Sequence, residues 1–130
     1  MKKLLATLMC TAAMVLTGCN SNIKAADTQK KMEKQGYSVT VYNSEQAKAA
    51  YATFNFNVEI QETLYAVKSN DLLFAIYCNN KADAESFVRE NVAILSAAGD
   101  TALEDARVGN FNNVAYVGSE TSLGYAGFKI

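Results

Sequence analysis

Residues 72–78 read Leu-Leu-Phe-Ala-Ile-Tyr-Cys, and this run restricts the fold more than any other feature of the chain. Side chains along a strand point alternately to opposite faces of a sheet. A run that is apolar at both parities must be covered on both faces, so residues 72–78 read as a central strand. Ser69-Asn70-Asp71 before it is a turn. Residues 59–68 suit a strand on the far side of that turn, so 59–68 and 71–78 read as a hairpin. From Phe54 to Gln61 the chain alternates strictly between apolar and polar residues. One strand from 54 to 68 would be unusually long, and the pattern predicts a break or bulge near residues 61–63.

Helices are marked by caps and by period. Asn43-x-x-Gln46 resembles a capping box and predicts a helix from 44 to about 53. Asn80-x-x-Asp83 opens a helix over 81–98 in which Ala84, Phe87, Val88, Val92, Leu95 and Ala98 share a stripe. Gly99 is placed to stop it. Asp27 is placed to cap a helix over 28–35 that ends at Gly36, and Ser119 to cap a short helix over 120–126. Thr101-x-x-Glu104 suits one further turn. Residues 37–42 alternate and are rich in β-formers; 107–110 and 114–118 are short strands around Phe111-Asn112-Asn113. The order predicts an α+β domain with a ferredoxin-like β-α-β-β-α-β antiparallel sheet and its two longer helices on one face. An N-terminal helix and a short C-terminal helix are added to it. An element order of this kind carries no function.

The N-terminus has a different character. Lys2 and Lys3 form a positive region, and residues 4–16 form an apolar stretch too short to span a bilayer, which takes about 20 residues. Thr17 and Gly18 are small, and Cys19 follows them. Leu16-Thr17-Gly18-Cys19 resembles a bacterial lipobox. The resemblance implies that residues 1–18 are a lipoprotein signal peptide and that Cys19 carries diacylglycerol at the mature N-terminus. Residues 19–26 would then be the lipidated Cys and a short tether, and 27–130 a single α+β domain. Seven tether residues reach at most roughly 25 Å. The implied location is extracytoplasmic, lipid-anchored to the cell membrane, or to the outer membrane of a host that has one. Asn20 stands where an Asp would favour inner-membrane retention in enteric bacteria. The chain resembles the broad class of small bacterial lipoproteins.

Charge and composition remove whole classes of chemistry. The chain has 12 Lys and Arg against 13 Asp and Glu, and no His. Lys2 and Lys3 leave with the signal peptide, so the mature chain is net negative. Residues 19–36 go the other way, with four lysines against Asp27 and Glu33. Without His, Ser-His and Cys-His nucleophilic pairs are excluded, as are histidine metal sites. Cys10 leaves, Cys19 carries lipid, and Cys78 is the only free thiol, so neither an internal disulfide nor a Cys-rich zinc site can form. A Gly-rich phosphate loop and a basic stripe for nucleic acid are missing from the sequence. No cofactor, metal or nucleic-acid partner is expected.

Four sets of residues remain as candidates. Lys24, Lys30, Lys31 and Lys34 lie beside the anchor, where an anionic bilayer would attract each by about 1 kcal/mol. Their alternative is a solvated helix face. Tyr51, Phe54, Phe56 and Phe111, with Asn55 and Asn57, would form a recognition patch if exposed together; core and turn roles compete with this. Cys78 is a buried small hydrophobe or a redox thiol. Asp100, Glu104 and Asp105 lack the spacing of a calcium loop and read as solvated acids. The expected function is a monomeric, non-enzymatic binding or interaction module for an envelope protein. The hairpin edges or the 54–61 segment would offer a strand to that partner. A small-ligand-binding lipoprotein is the alternative, and a carboxylate-only hydrolase a third reading.

Overall fold

The structure is a computed structural model that describes residues 22–102 and 106–128. The signal peptide, Cys19, Glu104 and Asp105 lie outside the described residues. Five strands form one antiparallel sheet: β1 (Ser38–Asn43), β2 (Ile60–Lys68), β3 (Asp71–Cys78), β4 (Ala106–Phe111) and β5 (Val114–Ser119), in the order β1-β2-β3-β5-β4. β3 occupies the centre, as its two apolar parities require. Leu73, Ala75 and Tyr77 point to one face and Phe74, Ile76 and Cys78 to the other, all buried. Helices α1 (Ala25–Lys34) and α4 (Glu120–Ala126) cover the first face through Ala25, Met32, Leu123 and Ala126. Helix α3 (Lys81–Ala102) and residues 51–58 cover the second, through Ala84, Phe87, Leu95 and the aromatics of the loop. The sheet is therefore sandwiched, and the helices are not confined to one face.

This order differs from the ferredoxin-like expectation. β1 lies antiparallel beside β2, with Asn43 opposite Glu62. Helix α2 (Ser44–Ala50) and residues 51–59 leave the end of β1 and return to that same end. A helix of seven residues rises roughly 10 Å, about half the length of a six-residue strand, so it cannot carry the chain across the sheet. The single crossover is β3-α3-β4. Both strands are antiparallel to β5, which lies between them, so β3 and β4 run parallel.

Most boundaries follow their local signals. Asn43 forms the complete capping box with Gln46, each donating to and accepting from the other at 2.9 Å. Ser119 accepts from Ser122 N at 3.1 Å to start α4, and Gly127 ends it with a left-handed φ of 81°. α1 begins at Ala25, without a side-chain cap, rather than after Asp27. Burial of Ala25 against the sheet starts the helix early, and Asp27 sits in its first turn. The fold thus begins inside the segment assigned to the tether. α3 continues through Gly99, because a glycine ends a helix only where the chain turns left-handed.

The register shift in β2 falls between Ile60 and Glu62. It places Ile60 on the α3 face although Leu64 and Ala66, at the same parity, point to the α1 face. Residues 54–58 precede this bulge and have the burial of a strand, inward at Phe54, Phe56 and Val58 and outward at Asn55 and Asn57. They pair with no strand. Their partner is Asn91, on α3, whose side chain is 1% exposed. Asn55 N donates to Asn91 Oδ1 at 2.6 Å, and Asn91 Nδ2 donates to Asn55 O at 2.9 Å and Phe87 O at 3.0 Å. One amide side chain thereby does for Asn55 what a neighbouring strand would do. α3 leaves helical geometry at Asn91 (φ −123°, ψ 15°). Val92, expected on the buried stripe, is 49% exposed, and Asn91 takes the inward position between Phe87 and Leu95.

Asn113, 0% exposed in the β4–β5 turn, repeats the device at the other end of the domain. Ile23 N donates to its Oδ1 at 2.7 Å, and its Nδ2 donates to Ile23 O at 3.1 Å and Cys78 O at 3.2 Å. Asn22 Nδ2 adds a bond to Asn79 O at 2.6 Å.

A buried peptide left without partners costs about 1–3 kcal/mol. Asn91→Leu, which keeps the branched heavy-atom skeleton but removes both bonds to Asn55, should lower stability in urea denaturation by about 2 kcal/mol. An unchanged midpoint would show that the loop is not held by this amide. Gly118→Ala tests the opposite face, since a Cβ there would lie 2.9 Å from Leu72 O and from Ser122 Oγ. Ser122 Oγ itself donates to Leu72 O at 2.7 Å, so the added methyl should loosen α4 and lower the thermal midpoint.

Candidate functional site

A concave feature on the α3 face is an apolar groove of about 310 Å³. Leu72, Phe74 and Val117 of the sheet form its floor, and Ile94 of α3 and Phe54 of the loop form its walls. Tyr51, Thr53 and Tyr65 complete its lining. The floor is apolar because β3 and β5 are central strands with both parities buried. The loop wall stands because Asn91 holds residue 55. Ring packing fixes the shape: Phe54 stacks on Phe74 at 5.7 Å and 16°, and Tyr51 lies 4.7 Å from Phe74. Tyr42 meets Tyr51 edge-on at 5.9 Å. Burial raises the Tyr51 phenol above its ordinary range, with Tyr42 and Tyr65 adding to it. Tyr51 is therefore a neutral hydroxyl at any physiological pH. Tyr65 is 38% exposed at the mouth.

The sequence-derived candidates divide between the two faces. Phe54, Phe56, Asn55 and Asn57 are together under α3. Only Phe54 of these lines the groove; Phe56 packs behind it, 6.0 Å from Phe87. Asn55 is tied through its backbone to Asn91, and Asn57 Nδ2 donates to Ser86 Oγ at 2.7 Å. Phe111 is on the opposite face, 5.9 Å from Phe128. Strand addition at the hairpin has no free edge to use, because β2 and β3 are paired on both sides; the outer strands are β1 and β4. Tyr65, Ile94 and Val117 were not singled out from the sequence. The available signal was Tyr65, a large aromatic at the parity opposite Leu64 and Ala66.

Lys30, Lys31 and Lys34 are exposed on α1, and Lys24 is exposed immediately before it. Lys30 and Lys34 lie on the side away from the buried Ala25, Thr28 and Met32. Lys31 leans toward the end of α4, its Nζ near Gly127. Among the described residues none of the four forms an ion pair. Since α1 and the groove are on opposite sides of the sheet, the lysines and the groove face opposite ways.

No group of three His, Cys, Asp or Glu that could hold a metal ion occurs among the described residues, and no Asp or Glu among them is buried. No helix among them is long and apolar enough to cross a membrane. Cys78 is fully buried on the α3 face, and burial, with Asp83 adding, pushes its thiol up to about 12 from 9.0. No protein family, curated protein or solved structure shows significant similarity to this chain.

The Cys78 thiol should react with a disulfide reagent only after denaturation; rapid reaction of the native protein would contradict its burial. Its pH effect has a definite sign. The folded-state value lies above the unfolded one, so the thiol contributes full stability below about pH 9 and loses it as pH rises toward 12. The buried Tyr37 phenol, raised to about 12 from 10.0, adds a similar loss that starts higher. Cys78→Ala should remove the first part of the alkaline decline and leave the part that begins near pH 10. Superimposable profiles for the two proteins would contradict this.

Proposed function

We propose that this protein is a lipid-anchored binding module of the bacterial envelope that receives an apolar segment of a partner protein in the α3-face groove. The observation that carries the reading is the groove itself: an apolar floor, walls of Phe54 and Ile94, and Tyr51, Thr53 and Tyr65 around it. Its volume of about 310 Å³ is near the lower end for small-molecule sites, roughly 300–1,000 Å³, and suits one or two inserted side chains better than a whole ligand. Tyrosines around such a recess are typical binding hot spots, because they give contact area and a hydrogen bond at little entropic cost. The resemblance of Leu16-Thr17-Gly18-Cys19 to a lipobox supports the envelope location. Cys19 to Asn22 is three residues, at most roughly 10 Å, so a domain anchored at Cys19 stands close to its bilayer. A small apolar ligand is the second reading, favoured by the concavity of the site.

A photo-reactive amino acid at Tyr65 tests the proposal in cells producing the full-length protein. One dominant cross-linked envelope protein is expected, and its yield should fall several-fold with Phe54→Ala, which opens the groove wall. A cross-link at Tyr65 that is unchanged by Phe54→Ala, or none at all, would overturn the partner reading. Stabilisation of the purified protein by small apolar compounds would then support the second.

A further inference from the structure

We infer that the exposed face of α1 is a docking surface for an anionic lipid bilayer, and that it turns the groove outward toward the periplasmic or extracellular side. The inference deepens the proposed function and rests on its lipid anchor. Three observations carry it. Lys30 and Lys34 project opposite the buried stripe of α1, with Lys31 on its flank and Lys24 at its N-terminal end, and none of the four is neutralised by an ion pair among the described residues. Lys30, Lys31 and Lys34 stand together with Glu33 on one exposed patch of α1, three positive charges against one negative. The chain entering α1 is not loose: Asn113 and Asn79 hold Ile23 and Asn22, so an anchor at Cys19 meets the domain at a fixed place next to this helix.

The charge distribution agrees with the geometry. The mature chain is net negative, yet its first helix is net positive. An anionic surface therefore attracts this end and repels the rest, which is a torque as well as a force. A free phosphate or an acidic protein would satisfy the lysines as charges, but neither uses the adjacency of the lysine face and the anchor point. With α1 against the bilayer, the sheet lies between membrane and groove, and the groove opens away from the lipid.

Amine footprinting of the full-length lipidated protein on vesicles tests this. The protein is mixed with neutral phosphatidylcholine vesicles or with vesicles containing phosphatidylglycerol, floated, and acylated with an amine reagent. The readout is Lys30 and Lys34 against Lys48 and Lys81, exposed lysines of α2 and α3. The expected result is labelling of Lys30 and Lys34 slowed about fivefold on the anionic vesicles alone, reversed at high salt, with Lys48 and Lys81 unchanged. Lys30→Gln with Lys34→Gln, surface changes that leave the core intact, should abolish the protection of Lys24 and Lys31. Equal labelling on both vesicle types, or equal protection of Lys48 and Lys81, would overturn the inference while flotation with neutral vesicles upholds the anchor. Flotation with anionic vesicles only would overturn the anchor and support the lysine face. Flotation with neither overturns both.

Discussion

Two buried asparagine side chains hold together what the sheet cannot reach. Asn91 and Asn113 each present one acceptor and one donor to the backbone of a single residue, Asn55 and Ile23 respectively, and each uses its second N–H on a further carbonyl. Backbone groups taken out of water must be paired. Neither residue 23 nor residue 55 belongs to a helix or strand. Without the amides, two extended segments packed on the core would each carry an orphaned peptide. The aromatic loop that walls the groove and the entry of the chain into α1 both depend on this pairing.

The sequence was most legible where one local rule acted alone. The two apolar parities of residues 72–78 placed β3 at the centre, and the Asn43 and Ser119 caps placed the starts of α2 and α4. The same rule misled where a side chain substituted for backbone. Residues 54–58 have the alternation of a strand because one side faces a core, yet the partner is Asn91 rather than a strand. Asn91 itself broke the helical stripe: a polar residue occupies the buried position, and the kink turns Val92 outward. Sheet order was not legible, because element order does not say to which end of β1 the chain returns. The short length of α2 decides that.

The candidate site was half legible for the same reason. Phe54 stood out as an aromatic near a strand end. Tyr65, Leu72, Phe74, Ile94 and Val117 come from four different elements, and only the sheet order brings them together. Phe111 looked similar to Phe54 in sequence and lies on the other face, because β4 and the 54–58 loop expose opposite parities to opposite helices. The lysines of α1 needed no topology to find. What the fold adds is their direction, away from the groove and next to the point where the chain enters the domain.

Residue-resolved hydrogen exchange of the Ile23 and Asn55 amides tests the central claim most directly. Both N–H groups lie outside regular structure, and loop amides of that kind ordinarily exchange at nearly free rates. If Asn113 and Asn91 hold them, both should be protected to the level of the neighbouring β2 and β5 amides. Exchange at free rates at either position would show that the corresponding clamp is absent in solution.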